Sequence, residues 1–213
     1  MKIKRFFGFP LEWVVAGSLL LGALLIPLFL ETYWLHVVII AYFYALLAAS
    51  WALLAGYAGQ FSFGHMAFMA IGAYTTGLLG RYFNTSPLIG ILLGTLTAGL
   101  MGLGIGALVL RFKASYLALF TIAFSEILRM LLNGESDITR GDQGLSVAPL
   151  FGGEIISRIP YYYVMLVLLV FCLLLMYWLA NSRVGLFLRA IREDEEAAAA
   201  RGVDVVRLSL IHI

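Results

Sequence analysis

The sequence predicts an all-α integral membrane protein: a polytopic helical bundle of about six transmembrane helices, with one broken-helix segment near residues 56–65. Three observations carry that expectation. Hydrophobic residues make up 62% of the 213 and charged residues only 12%, against about 25% charged in a soluble domain. The apolar residues gather into runs of roughly 20, the length a helix needs to cross a hydrocarbon layer of about 30 Å. The runs also lack the alternation that the ~10-residue strands of a membrane barrel would show.

The spans fall at approximately 11–30, 34–55, 62–80, 87–110, 115–132 and 161–180. Lys2, Lys4 and Arg5 precede the first, as they would a signal peptide, but the run is long and has no small-residue cleavage site, so it reads as a retained span. Glu12 stands at its mouth and Pro27 near its far end. Trp13 and the pair Tyr33-Trp34 suit the two interfaces, and Tyr161-Tyr162-Tyr163 opens the sixth span in the same way. The charge distribution sets an orientation. With the N-terminus inside, the inner segments hold Lys2, Lys4, Arg5, Arg111, Lys113, Arg183, Arg189, Arg192, Arg201 and Arg207, and the outer ones only Arg81, Arg140 and Arg158. That bias matches the positive-inside rule. Because the basic residues track topology, they give no support to nucleic-acid binding. Cys172, the single cysteine, lies in an apolar run and excludes an internal disulfide.

The link Gly56-Tyr57-Ala58-Gly59-Gln60-Phe61-Ser62-Phe63-Gly64-His65 joins two apolar spans yet is rich in glycine and polar groups. It is either an ordinary turn or a broken helix of the kind that builds transporter sites, where irregular backbone is satisfied by protein or a wet cavity. Gly59, Gln60, Ser62, Gly64 and His65 are its candidates for a translocation pathway; His65 alone reads equally as a packed, hydrogen-bonded histidine. In the fourth span small residues recur every four positions, at Gly90, Gly94, Ala98, Gly102 and Gly106, a ridge that lets helix backbones approach. The triplet of glycines at 102, 104 and 106 has no following Lys-Ser/Thr and is no phosphate loop. Glu126 and Arg129, three apart in the fifth span, share a helix face. Intramembrane charge is paired or faces a wet interior, so the pair either fixes the helix against its neighbours or borders the substrate path.

Residues 181–207 read as an inner helical loop. Glu193-Asp194-Glu195-Glu196 opens a short helix over the alanine run 197–200, and Arg201 closes it before Gly202. Acids at the start and a base at the end match the helix dipole, and glycine suits the C-cap. This is either a solvated helix or a rigid knob that a partner grips. No metal-ligand cluster, activated nucleophile or cofactor loop stands out, which argues against an enzyme.

These motifs resemble a known family. Glu196-Ala197-Ala198-x-x-x-Gly202 is similar to the EAA loop of ABC importer permeases, and the stretch from Gly185 through Glu195 resembles the same region of the LivM-type permeases of branched-chain amino acid importers. So do the 56–65 link with Gly72-Ala73-Tyr74, and the run from Tyr116 to Arg129. Thr139–Gly144 stands where the family has a Thr-Gly-Gly turn, with Arg140 in place of the first glycine. The resemblance implies a permease domain over 1–207, with Arg189, Arg192, Glu193, Glu196, Ala197, Ala198 and Gly202 coupling it to a cytoplasmic ATPase. It implies a bacterial cytoplasmic (inner) membrane location. It also implies a second homologous permease, two ATPase subunits that bind the ATP and Mg this chain does not, and a periplasmic or lipid-anchored substrate-binding protein, besides membrane lipid. The natural substrates would be leucine, isoleucine and valine. Closely similar permeases serve urea or short-chain amide importers, and an ion-coupled secondary transporter or a non-transporting membrane anchor are the readings from other classes. Family members run on through further spans, so the chain is expected to be a C-terminally truncated fragment, and 208–213 (Leu-Ser-Leu-Ile-His-Ile) a non-native tail from a library adaptor.

Overall fold

Six of the helices coincide with the six apolar runs. The computed structural model describes residues 5–6, 9–109, 114–151, 157–194, 197–198 and 201. Lys2, Lys4, Arg111, Lys113, Glu196, Gly202, Arg207 and the 208–213 tail lie outside the described residues. A two-residue antiparallel pair, Arg5–Phe6 against Phe9–Pro10, comes first. The helices then run α1 (Leu11–Leu25), α2 (Thr32–Leu53), α3 (His65–Phe83), α4 (Pro87–Val109), α5 (Ala114–Gly134), α6 (Ile159–Ala180) and α7 (Arg183–Glu193). Among the described residues, four stretches are long and apolar enough to cross a membrane: Thr32–Tyr57, Pro87–Leu108, Tyr116–Gly134 and Ile159–Ala180. The first expected span forms a shorter apolar helix, Val14–Leu28. The third, α3, dilutes its apolar residues with Gly72, Thr75, Thr76, Gly77, Gly80 and Arg81. No more than 17% of any of the four long stretches is buried within the chain. Outward residues such as Leu92 and Trp178, both 71% exposed, therefore need lipid or protein cover, as expected of a polytopic membrane fold.

The chain divides into two compact units, Met1–Leu46 with Ile155–Leu174 and Leu47–Glu154 with Leu175–Ile213; α2 and α6 each contribute to both. In the first unit, Leu35, Tyr162 and Leu166 form the core. Pro27 ends α1 in a 3-10 turn, Ile26–Leu28. Proline has no N–H to offer the carbonyl four residues back, here Ala23. The Tyr162 hydroxyl fills that place, donating to the Ala23 carbonyl at 2.6 Å, and lies 2.8 Å from the Tyr42 hydroxyl. Tyr162 is thus wholly buried rather than part of an interfacial belt; Tyr163 also reaches α1, at the Leu24 carbonyl, 3.2 Å away.

In the second unit α3 packs against α4 through small residues. A Cβ placed on Gly94 would lie 2.5 Å from the Gly72 carbonyl oxygen, and one on Gly90 would lie 2.8 Å from Thr76 Cγ2. The Thr76 hydroxyl sits 2.9 Å from both the Gly72 carbonyl of its own helix and the Gly90 carbonyl of α4. This is the polar-plus-small chemistry that holds membrane helices together where the surrounding lipid is equally apolar.

The turn from α6 into α7 is tight enough that a Cβ on Gly185 would run into the Ala180 carbonyl. Gly185, Leu188 and Ile191 form the buried face of α7. The expected helix over 193–202 begins differently. Asp194 is extended (φ −157°, ψ 105°) and closes α7 at Glu193, and its carboxylate accepts the Ala197 N–H at 2.9 Å. Asp194 therefore caps a fresh turn instead of continuing a helix through 193.

Candidate functional site

The link between α2 and α3 is a true break. The last turn of α2 widens into a π-helical turn, Leu54–Ala58, and Gly59 follows in the left-handed region (φ 67°, ψ 14°). A residue with a Cβ rarely adopts that conformation. Residues 60–64 are non-helical until His65 starts α3. Non-helical backbone carries unpaired polar groups, and here two neighbouring elements supply partners. Trp51 Nε1 donates to the Ser62 carbonyl at 3.1 Å. The Gly64 N–H donates to Ser62 Oγ at 3.3 Å, which helps hold Ser62 at 3% exposure. On α5, the Thr121 hydroxyl oxygen accepts the Phe63 N–H at 3.0 Å, while the Ser125 hydroxyl lies 3.2 Å from the Phe63 carbonyl. The break is thereby stitched to α5 by two hydroxyls one turn apart.

The candidate pathway residues fall on two sides of this link. Ser62 and His65 line a cavity of about 400 Å³ that also takes in Ser50, Thr95, Ala98 and Gly102. There the His65 Nδ1 is buried, and the lower part of the small-residue ridge serves as cavity wall; Gly106 beyond it is buried. Gln60 is half-buried beside Gly59. Glu126 and Arg129 line a different groove, about 540 Å³, with Met66, Ala70 and Tyr74 of α3. They pair with each other: Arg129 Nε donates to Glu126 Oε2 at 3.0 Å, and its terminal nitrogen to Oε1 at 2.6 Å. Both side chains remain about half exposed, so the pair is not part of the chain's own core.

Residues expected to face a partner are also engaged within the chain. Arg192 of α7 donates to the Gly56 carbonyl, and the Arg189 guanidinium lies 4.8 Å from the centre of the Tyr57 ring. Together with Glu193 these residues line an open groove of about 310 Å³. Ala197 is exposed and Ala198 buried. On the loop after α5, the Thr139 hydroxyl reaches the Leu132 carbonyl at 2.6 Å and also contacts that of Glu135. Arg140 there takes φ 64°, the conformation a glycine would accept most readily. Trp51, Thr121 and Ser125 were not singled out in the sequence; the i, i+4 spacing of Thr121 and Ser125, which puts two hydroxyls on one face of α5, was the available signal.

Residues 33–212 match the family model described as branched-chain amino acid transport system / permease component. The chain belongs to this permease family. Among its relatives is the high-affinity branched-chain amino acid transport system permease protein LivM of Salmonella typhimurium, 32% identical over 194 residues, covering 78% of this chain and 45% of the relative. LivM of Escherichia coli K12 matches with the same identity and coverage. A probable branched-chain amino acid transport permease protein LivM of Methanocaldococcus jannaschii is 26% identical over 151 residues, 64% of this chain and 42% of that protein. The chain thus spans less than half the length of the curated relatives it matches. No solved structure matches it. Family membership places the chain among transport permeases rather than enzymes, and with its apolar helices marks it as a multi-pass membrane protein.

Proposed function

We propose that this chain is the membrane-spanning permease subunit of an ATP-driven importer of leucine, isoleucine and valine, and that it forms half of the translocation pathway. The observation that carries the reading is the family match together with a helix break lined by Ser62 and His65. In this reading the N-terminus is cytoplasmic in a bacterial inner membrane, and a second homologous permease completes the pore. Two ATPase subunits bind ATP and Mg and grip the segment around 193–202. A periplasmic or lipid-anchored binding protein delivers substrate from outside. ATP-driven closure of the ATPase pair displaces that segment and switches the spans between outward and inward access. The chain supplies two access states rather than a catalytic group.

The test is uptake by proteoliposomes holding the assembled system, with ATP inside the ATPase-facing compartment. Labelled leucine should accumulate only with hydrolysable ATP, and excess isoleucine or valine should compete while urea should not. Competition by urea or acetamide alone would move the assignment to an amide importer. Leucine uptake that follows an ion gradient without ATP would overturn the ABC reading.

A further inference from the structure

We propose that Arg192 is a positioning residue for transport: it ties α7 to the break at the end of α2, so that the two move as one body. The inference rests on the importer reading above and assigns Arg192 to a contact within this chain. The end of a helix leaves carbonyls without intrahelical partners and carries partial negative charge. The end of α2 presents both at its π turn, and two cations from α7 meet it. Arg192 donates to the Gly56 carbonyl, and Arg189, one turn earlier, lies over the Tyr57 ring. Gly59 completes the seat. A Cβ there would lie 2.5 Å from Arg192 Cγ, so glycine serves the close approach as well as the left-handed turn.

Each end of this tie leads elsewhere. Two residues beyond Arg192, Asp194 closes α7 and caps the turn at Ala197, where the EAA-like segment begins. Three residues beyond Gly59, the link reaches Ser62 in the His65 cavity, and the Phe63 backbone is held by Thr121 and Ser125 of α5. A displacement of the segment after Asp194 therefore passes through Arg192 and the break to α5. Arginine suits the task because its planar guanidinium stays charged and offers donors in a fixed fork, which the flexible point charge of lysine does not.

The experiment measures leucine transported per ATP hydrolysed by the assembled importer, in a Cys172→Ser background. Arg192→Ala should lower that ratio by about ten-fold, the factor that accompanies loss of one charge-assisted hydrogen bond; Arg192→Lys should fall between. The decisive variant is Gly59→Cys with Arg192→Cys. A Cβ at 59 would lie 3.3 Å from the Arg192 Cβ, close to the separation of about 3.5–4.5 Å that a disulfide spans. Gly59→Cys strains the left-handed turn in both states, so the reading is the difference between them: purified oxidised, the pair carries a covalent tie and should give a higher ratio than the same preparation reduced in place by a thiol. Assembly is common to both states, so a purely structural role would not separate them. A wild-type ratio in Arg192→Ala, an oxidised pair no better coupled than the reduced one, or a pair that fails to crosslink would each overturn the proposal. Failure of the importer reading shows differently, as a wild-type complex that moves no leucine with ATP while the cysteine pair still crosslinks in the membrane.

Discussion

Pro27 opens a gap in the hydrogen-bond ladder of α1, and Tyr162 closes it from α6. The Tyr162 hydroxyl donates to the Ala23 carbonyl and shares a bond with Tyr42. Tyr162→Phe removes both bonds without changing the packing of the ring. The expected loss is about 1 kcal/mol, between the mean of ~0.6 for hydrogen bonds between membrane helices and the 1–3 for a buried group left unpaired. Thermal unfolding in detergent should show it as a lowered midpoint. Tyr163→Phe should change the midpoint less, because its longer bond at 3.2 Å is exposed; equal effects would deny Tyr162 its special place. The sequence marks Pro27 as a helix end and the three tyrosines as an aromatic cluster. Which tyrosine turns inward depends on where α1 lies against α6, and no local pattern records that. Arg140 shows the opposite case: a departure from a family glycine was visible in the sequence, and the backbone there still holds the left-handed angle.

Elements were legible wherever a single period or composition decides them. The six apolar runs became helices, and the Gly-rich link became a break, because apolar length and glycine content act locally. The small-residue ridge of α4 was legible as a ridge, but a glycine on it and one beside it differ in what they meet. A methyl added at Gly94 would press on the Gly72 carbonyl oxygen at 2.5 Å, while one at Gly99 would meet nothing within 4 Å. Gly94→Ala should therefore destabilise by about 1–3 kcal/mol through overpacking against backbone. Gly99→Ala should be neutral or stabilising by up to about 1 kcal/mol, since alanine favours the helix. The ratio of folded to aggregated protein on size-exclusion after heating reads both, and a Gly94→Ala protein as stable as Gly99→Ala would mean that α3 and α4 do not approach so closely. The acidic run at 193–196 misled for a physical reason. Acids favour helix starts, yet Asp194 has its own carboxylate to spend on the Ala197 N–H, so one helix stops where the next turn begins. The partners of the break, Trp51, Thr121 and Ser125, lie on other helices, and spacing within the link could not reveal them.

At the scale of the molecule, orientation in the membrane is what joins the site to the proposed mechanism. Helix α6 has 22 residues, about 33 Å at 1.5 Å per residue, enough to cross the hydrocarbon layer once. Ser136, after α5, and Asn181, after α6, must then lie on opposite sides. In the proposed orientation, argued from ten basic residues against three, Asn181 lies inside. In a Cys172→Ser background, a membrane-impermeant maleimide should label Ser136→Cys in intact cells and Asn181→Cys only after permeabilisation; both positions are exposed. Labelling of both from one side would mean that α6 does not cross. Labelling in the reverse sense would be more damaging, because it would carry α7, Arg192 and the segment after Asp194 to the side without ATP. The tie between α7 and the helix break would survive as a packing contact, but no cytoplasmic ATPase could pull on it.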